Sequence, residues 1–188
     1  TLADVEYAEN WGGVIKLIGQ VKKQTSGKLQ IIVCPMFVPA ESQLSSVDDV
    51  FNGILVRGDA TGDVVFYGKG AGKLPTASAV VADVIDCVKH FSSRKYLFWE
   101  DGSKDYVEDY MEDCVSMYVR ASAADVNLSL LNAGTIFGGV PRLIRRDATA
   151  DEFAFVTEKM PEKEISQKLK ELTALGVQVQ NTIRLGDF

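Results

Sequence analysis

The sequence predicts an α+β protein in which an antiparallel sheet with flanking helices precedes a second folded part. Four runs rich in β-branched and aromatic residues lie between residues 14 and 67, and short turns join them, which favours antiparallel pairing. A helical pattern with a wide apolar stripe follows over residues 75–90. After residue 113 the elements run strand, helix, strand, strand, helix, strand, an order typical of a ferredoxin-like sandwich.

The composition is that of an ordinary globular protein. The 188 residues allow one or two domains with a real core, and 46% of them are hydrophobic and 24% charged. The formal net charge of −6 argues against nucleic acid or an anionic membrane surface as the main partner. We therefore expect binding to neither.

The cysteines and the hydropathy pattern indicate the compartment. Cys34, Cys87 and Cys114 are odd in number and far apart, so we expect free thiols in a reducing environment. Neither a signal peptide nor a run of about 18 apolar residues is present, which predicts a soluble cytoplasmic protein. The chain begins at Thr1 without Met, so we expect a processed or excised piece.

The chain opens with a predicted helix and a predicted hairpin. Residues 1–11 read as a helix because Thr1 can cap its start, Asp4 favours that start electrostatically, and two glycines follow it. Alternating apolar residues over 14–21 and 29–34 predict two strands joined by a turn. This hairpin begins the antiparallel sheet.

A second hairpin and a long helix come next. Strands are predicted at 54–57 and 64–67, and together with the first hairpin they would form one antiparallel sheet. The helix over 75–90 carries Pro75 in its first turn, where proline is tolerated. Its apolar stripe consists of Val80, Val81, Val84, Ile85 and Val88.

Residues 64–83 combine a strand, a loop with glycines at alternate positions and a helix start. Glycines let the backbone approach a ligand, and a helix start favours anions such as phosphates. The Walker pattern is excluded because Leu74 follows the Gly-Lys pair at 72–73, and the spacing excludes G-x-G-x-x-G. The residues alone support a tight strand-to-helix turn as well as they support a phosphate or nucleotide site.

The remainder divides into an acidic stretch and a second module. Residues 92–112 are rich in Asp and Glu without EF-hand spacing, so we expect a solvated linker and no metal site. In the second module, strands are predicted at 114–120, 142–145, 152–157 and 177–185, and helices at 124–132 and 161–175.

The glycine run closely resembles one family. Residues 68–83, Gly-Lys-Gly-Ala-Gly-Lys-Leu-Pro-Thr-Ala-Ser-Ala-Val-Val-Ala-Asp, are similar to the late loop-and-helix signature of homoserine dehydrogenases. The resemblance covers residues 1–88 without a break. Its upstream segments are 4–8, 13–19, 38–39, 47–52 and 56–60.

The resemblance implies an NAD(P)-dependent oxidoreductase that interconverts homoserine and aspartate 4-semialdehyde in threonine and methionine biosynthesis. The chain resembles the C-terminal part of such an enzyme and lacks the N-terminal nucleotide-binding domain. Residues 1–91 would end the catalytic and dimerisation domain, 92–112 would be the acidic linker, and 113–188 resemble the ACT regulatory domain, whose end is similar to residues 183–187.

The resemblance also assigns site residues. The family's catalytic lysine, substrate-binding acids, dinucleotide glycines and metal ligands precede Thr1, so we expect no catalytic and no metal-binding residue here. The cofactor-proximal positions that carry over are Gly68, Gly70, Ala71, Gly72 and Thr76. We expect neither tight NAD(P) binding nor dehydrogenase activity from this chain alone.

The implied partners are a second copy and an amino acid. The family's sheet pairs with its twin, which implies a homodimer, with a tetramer through ACT domains as an alternative. ACT domains that bind amino acids usually carry a glycine turn, whereas residues 120–126 contain no glycine, so the effector cradle would be altered. The candidate effector-binding residues are Ser122, Ala123, Ala124, Asp125 and Val126.

Three functions stay open on these grounds. The first is the C-terminal portion of a homoserine dehydrogenase. The second is a non-catalytic module that senses an amino acid, with threonine as the first ligand to test. The third is a stand-alone nucleotide-binding enzyme that uses the glycine loop.

Overall fold

The computed structural model describes residues 1–93, 98–103 and 105–188. Its first elements are helix α1 (Leu2–Trp11) and the antiparallel strands β1 (Gly13–Lys23) and β2 (Leu29–Pro39). Thr1 and Asp4 form the capping box of α1, and Gly12 ends the helix with a φ of 98°, which glycine adopts without strain. The predicted first helix and hairpin are therefore present.

The second hairpin consists of β3 (Phe51–Gly58) and β4 (Gly62–Lys69), paired antiparallel from Phe51↔Lys69 to Gly58↔Gly62. Helix α2 (Lys73–Lys89) follows after a short loop. The helix starts two residues earlier than predicted, so Pro75 is its third residue and still lies within the first turn, where its missing N–H breaks no helical hydrogen bond.

The predicted sheet of four consecutive strands is wrong. β3 and β4 form a two-stranded sheet of their own, whereas β1 and β2 belong to a six-stranded sheet of order β1-β2-β10-β6-β8-β7. The reason is a long-range pairing, because β2 runs parallel to β10 with Met36 opposite Arg184 and Phe37 opposite Leu185. The antiparallel hairpins and the α+β class are confirmed.

The second half of the chain supplies the other strands of that sheet. Its elements are a 3₁₀ turn (Tyr110–Glu112), β5 (Cys114–Val115), β6 (Met117–Ser122), α3 (Val126–Phe137), β7 (Arg142–Leu143), β8 (Glu152–Val156), β9 (Met160–Pro161), α4 (Glu162–Ala174) and β10 (Gln178–Leu185). Strands β10, β6, β8 and β7 are neighbours in that order, and every adjacent pair among them is antiparallel.

This sheet has a hydrophobic cluster on each face. One contains Val119 and Phe155 with Phe137 of α3 and Leu172 of α4. The other contains Tyr118, Ala154 and Ile183 together with Tyr7 of α1 and Phe37 of β2. Alternate residues of β6 thus point to opposite faces, and α1 covers the face that α3 and α4 leave free.

The chain forms two compact units. Residues 1–45 and 103–188 form one, and residues 46–102 form the other. These two units do not coincide with the predicted domains 1–91 and 113–188, so the division into those two domains stays a prediction. Within the predicted linker 92–112, residues 94–97 and 104 lie outside the described residues. Its later part pairs with β2, because Leu29 donates to the Tyr106 carbonyl at 2.9 Å and accepts from Glu108 at 2.8 Å.

Within the described ranges, no helix has the length and apolar character needed to cross a membrane. No group of three His, Cys, Asp or Glu side chains in those ranges is arranged to hold a metal ion.

Candidate functional site

The glycine loop joins the end of β4 to the first turn of α2. Gly72 precedes the helix with a φ of 118°, a conformation that a side chain would strain. The Thr76 N–H donates to the Gly72 carbonyl at 3.2 Å, which closes the first turn. The glycine at 72 is therefore required by the bend itself.

Gly70 lies close to a side chain of the neighbouring strand. A Cβ atom built on Gly70 would overlap the side-chain amide of Asn52 on the neighbouring strand β3. Asn52 lies directly opposite Gly68 in the hairpin register. Asn52 is thus part of the loop's surroundings, and sequence reasoning missed it because the contact depends on strand pairing.

The loop is open to solvent. Gly68, Gly70, Ala71, Gly72 and Thr76 are all exposed. No side chain of the described residues caps the start of α2, so its first-turn N–H groups are open to water or a ligand. Lys73 is the first residue of the helix, where a cation opposes the helix dipole unless an anion lies nearby. The arrangement suits a phosphate-bearing ligand.

Helix α2 presents an exposed apolar face. None of its residues is buried. Val88 is 71% exposed, and the other members of the stripe, Val80, Val81, Val84 and Ile85, are 49–57% exposed. Isolated apolar residues on a surface are common, but a stripe along one helix marks a surface that another part of a protein covers.

A second apolar surface lies on the β1–β2 hairpin. Leu17 and Val33 are 73% and 70% exposed, and Val21 and Ile31, paired directly opposite each other, are also exposed. All four lie on one face of the hairpin because they occupy alternate positions. β1 is the outer strand of the sheet, so the edge beside this face is unpaired among the described residues.

The predicted effector turn follows β6. Ser122 and Ala123 are buried, and the Ala123 N–H donates to the Asp151 carbonyl at 2.9 Å. The Asp125 carboxylate caps α3 by accepting from the Leu128 N–H at 3.0 Å. Ala124 and Val126 flank it, and no residue of the turn has a positive φ. Effector binding by these residues stays a prediction.

Sequence reasoning missed a buried ionic network on the α1 face of the sheet. Asp4 is fully buried and accepts from Arg120 at 2.8 Å, from the Tyr118 hydroxyl at 2.9 Å and from Asn181 at 2.9 Å. Burial would raise the pKa of Asp4, but these bonds, above all the one from Arg120, hold that pKa well below its usual range. Asp4 is therefore ionised.

Glu152 is the second acid of this network. It lies 3.4 Å from Arg120 and 2.8 Å from Arg145, and Tyr7 donates to it at 3.1 Å. Burial opposes ionisation of Glu152, but the hydrogen bonds from Arg145 and Tyr7 lower its pKa. Burial and the nearby Glu152 charge raise the pKa of Tyr7 to about 12. The network joins α1 to β6 and β8.

Comparisons with known proteins agree with the resemblance drawn from the glycine run. Residues 1–85 match the family model described as homoserine dehydrogenase. The homoserine dehydrogenase of Pseudomonas aeruginosa is 32% identical over 93% of this chain and 44% of its own length. That of Synechocystis is 48% identical over 45% of this chain and 20% of its own length.

Solved structures match the whole fold. A homoserine dehydrogenase from Thiobacillus denitrificans superposes with a TM-score of 0.82 at 28% identity, covering 100% of this chain and 46% of its own. The S. aureus enzyme gives a TM-score of 0.75 at 26% identity, with 100% and 45% covered. The chain thus spans less than half the length of these relatives.

Proposed function

We propose that this chain is the C-terminal portion of a homoserine dehydrogenase, the NAD(P)-dependent enzyme that interconverts homoserine and aspartate 4-semialdehyde. The observation that carries the proposal is the match of residues 1–85 to that family, which includes the glycine loop and most of α2. The solvent-open geometry of that loop supports a role at the cofactor. The alternative of a stand-alone nucleotide-binding enzyme has no comparable support.

The glycine loop would lie against NAD(P) in the whole enzyme. The cofactor supplies the hydride chemistry, and the protein supplies position and electrostatics. Gly68, Gly70, Ala71 and Gly72 would let the backbone approach a phosphate, and the uncapped first turn of α2 would donate N–H groups to it. The Thr76 hydroxyl is one further donor that the first turn offers.

The rest of the enzyme would cover the stripe on α2. A helix in a globular protein is stabilised mainly by packing of its apolar face, and among the described residues this face has no cover. The nucleotide-binding domain of a whole homoserine dehydrogenase is the part that would provide it. The active site would therefore be incomplete in this chain, and we expect no hydride transfer from it.

The assembly would be a homodimer formed through the β1–β2 hairpin. Its exposed apolar face and the free edge of β1 support this, because both are completed when a second copy packs there. A tetramer through the C-terminal modules is the alternative, and a cytoplasmic location goes with the biosynthetic role.

We also propose that residues 113–188 form a ferredoxin-like, ACT-type module. The element order β6-α3-β7-β8-α4-β10 and the spatial order β10-β6-β8-β7 support it. Amino-acid sensing as the sole function is less well supported, because Asp125 already occupies the start of α3. A structural role in the assembly fits these contacts better.

The test uses the protein encoded by the intact gene, with NADP-dependent oxidation of homoserine as the readout. Gly72→Ala strains the loop and should raise the KM for NADP about tenfold, because misplacement of a positioned contact is costly in the bound state. Gly102→Ala is the matched control, since a Cβ there meets open space. An unchanged KM in Gly72→Ala would remove the loop from the cofactor site.

A further inference from the structure

A cavity of about 170 Å³ lies wholly within the unit formed by residues 1–45 and 103–188. It opens between the β1–β2 hairpin, β5 and the segment that follows β10. Its cationic lining comes from Lys22, Lys159 and Arg184, and its apolar lining comes from Met36, Val115 and Leu185. A pocket with an apolar wall and a few convergent charges is typical of a small-ligand site.

The Asp187 carboxylate already occupies the cationic side of this cavity. Its Oδ2 atom lies 3.3 Å from the Lys22 Nζ and 3.4 Å from the Lys159 Nζ. Charge-assisted hydrogen bonds of this kind are usually about 2.7–2.9 Å long. Both distances from Asp187 exceed this range, and a carboxylate that moves freely can approach both ammonium groups more closely.

Arg184 has a different role from the two lysines. Its guanidinium is buried and paired with Asp113 at 3.4 Å and with Glu162, and it donates to the Tyr110 carbonyl at 3.2 Å. Lys22 lies farther from Asp113, at 4.0 Å. The ammonium groups of Lys22 and Lys159 are thus the cations that a ligand can reach.

The charges around the cavity determine which anion fits. Among the ion pairs of the described residues, the three cations balance the three carboxylates of Asp113, Glu162 and Asp187. When the Asp187 carboxylate is displaced, one positive charge remains uncompensated. A single carboxylate neutralises that charge, whereas a phosphate dianion would leave one negative charge in excess. Burial would raise the pKa of Asp187, but the ammonium groups of Lys22 and Lys159 outweigh it and lower that pKa. Asp187 is therefore a charged competitor for any incoming anion.

We propose that this cavity binds a small monocarboxylate, whose carboxylate replaces that of Asp187 between Lys22 and Lys159. The short apolar body of the ligand contacts Met36, Val115 and Leu185. The ligand then bridges the β1–β2 hairpin and the last strand of the sheet, because Lys22 belongs to β1 and Leu185 to β10. The site uses no residue of the glycine loop and is independent of the proposed dehydrogenase role.

Cys114 provides a direct report of occupancy. Its exposed thiol lines the cavity, whereas the exposed Cys87 on α2 lies outside it. The chain is alkylated with iodoacetamide at constant ionic strength while isobutyrate is added, and each site is followed by mass spectrometry. We expect isobutyrate to slow alkylation of Cys114 saturably and by about threefold or more, with no change at Cys87.

Variants distinguish binding of isobutyrate in the cavity from nonspecific effects of the salt on the alkylation rate. Asp187→Asn removes the competitor and should tighten isobutyrate binding about tenfold, and Lys22→Met should weaken it by a similar factor. Lys163→Met, which disrupts an exposed pair with Glu112, is the control and should change nothing. The proposal is overturned if Cys114 is unprotected in both the wild type and Asp187→Asn. Equal protection by isobutanol, or stronger protection by phosphate, also overturns it.

Discussion

Residues 1–45 and 103–188 differ from residues 46–102 in what each unit encloses. The first unit contains two hydrophobic clusters and a buried ionic network. The second unit consists of a hairpin and a helix, and across its described residues no side chain is buried. The same chain thus holds one part stabilised by its own core and one part whose described residues enclose no core.

This difference shows which part of the structure is complete within the chain. Burial of apolar surface is the main source of folding free energy, so the first unit has the means to fold alone. An isolated hairpin is marginal in water, and an isolated helix is stabilised mainly by packing. The β3–β4 hairpin and α2 therefore depend on a surface that the described residues do not supply.

The largest expected effect comes from the buried network. Arg120→Met leaves the Asp4 carboxylate buried beside a neutral side chain, and we expect a loss of about 3–5 kcal/mol in the free energy of unfolding. Arg57→Met is the matched control, because the Arg57–Asp63 pair is exposed and its loss should change stability far less. Urea denaturation measures both. Similar losses in the two variants would remove the contrast between the units.

Apolar truncation tests the same contrast in the cores. Leu172→Ala creates a cavity at a fully buried position and should lower the free energy of unfolding by about 2–5 kcal/mol. Val84→Ala on the exposed face of α2 should change stability by no more than about 0.5 kcal/mol.

The Val84→Ala experiment becomes sharper in the protein encoded by the intact gene. If another domain covers α2 there, the same substitution should cost about 1–3 kcal/mol. A cost that stays near zero in the longer protein would mean that the α2 face remains uncovered.

Acid should weaken the first unit through its network. The pKa values of Asp4 and Glu152 are lowered by folding, so their stabilisation is complete above the unfolded pKa near pH 4 and is lost as pH falls further. As the pH falls, each acid lowers the free energy of unfolding by up to about 1.4 kcal/mol per pH unit. Below pH 4, the free energy of unfolding of Asp4→Asn should fall less steeply with decreasing pH than that of the wild type, which urea denaturation at a series of pH values measures.

A small loss of stability is expected from a change at the start of α3. Asp125 caps α3, and Asp125→Ala should lower the free energy of unfolding by about 1 kcal/mol because a first-turn N–H loses its acceptor. Urea denaturation measures this loss.

Calorimetry with threonine on the wild type and on Asp125→Ala tests the predicted effector turn. Binding that Asp125→Ala abolishes would support sensing by residues 122–126, and no heat from either protein would favour the structural role.

Local elements were predictable from the sequence, whereas the way they combine was not. The helices, both hairpins and the glycine-bearing bend follow from periodicity, caps and turn residues at short range. The six-stranded sheet depends on pairing between Met36 and Arg184, which are far apart in the chain. No local pattern indicates that contact, so the two hairpins were wrongly assigned to one sheet.

The candidate site shows the same limit. The glycines at 70 and 72 could be identified from their spacing, but the role of Asn52 depends on the register between β3 and β4. The network around Asp4 and Arg120 could not be predicted from the sequence either, because the position of Asp4 is that of an ordinary acidic residue at the start of a helix. Its burial comes from α1 packing on β6 and β10 of the sheet, whose residues Tyr118, Arg120 and Asn181 bind Asp4 from more than 100 residues later in the chain.

The inserted position of residues 46–102 has a practical consequence for engineering. Every buried residue among the described ones lies before residue 46 or after residue 102. Replacing residues 46–102 by a flexible Gly/Ser linker would therefore keep all of these buried residues. A shortened protein of this kind would present the six-stranded sheet and its cavity for spectroscopy without the exposed apolar stripe of α2.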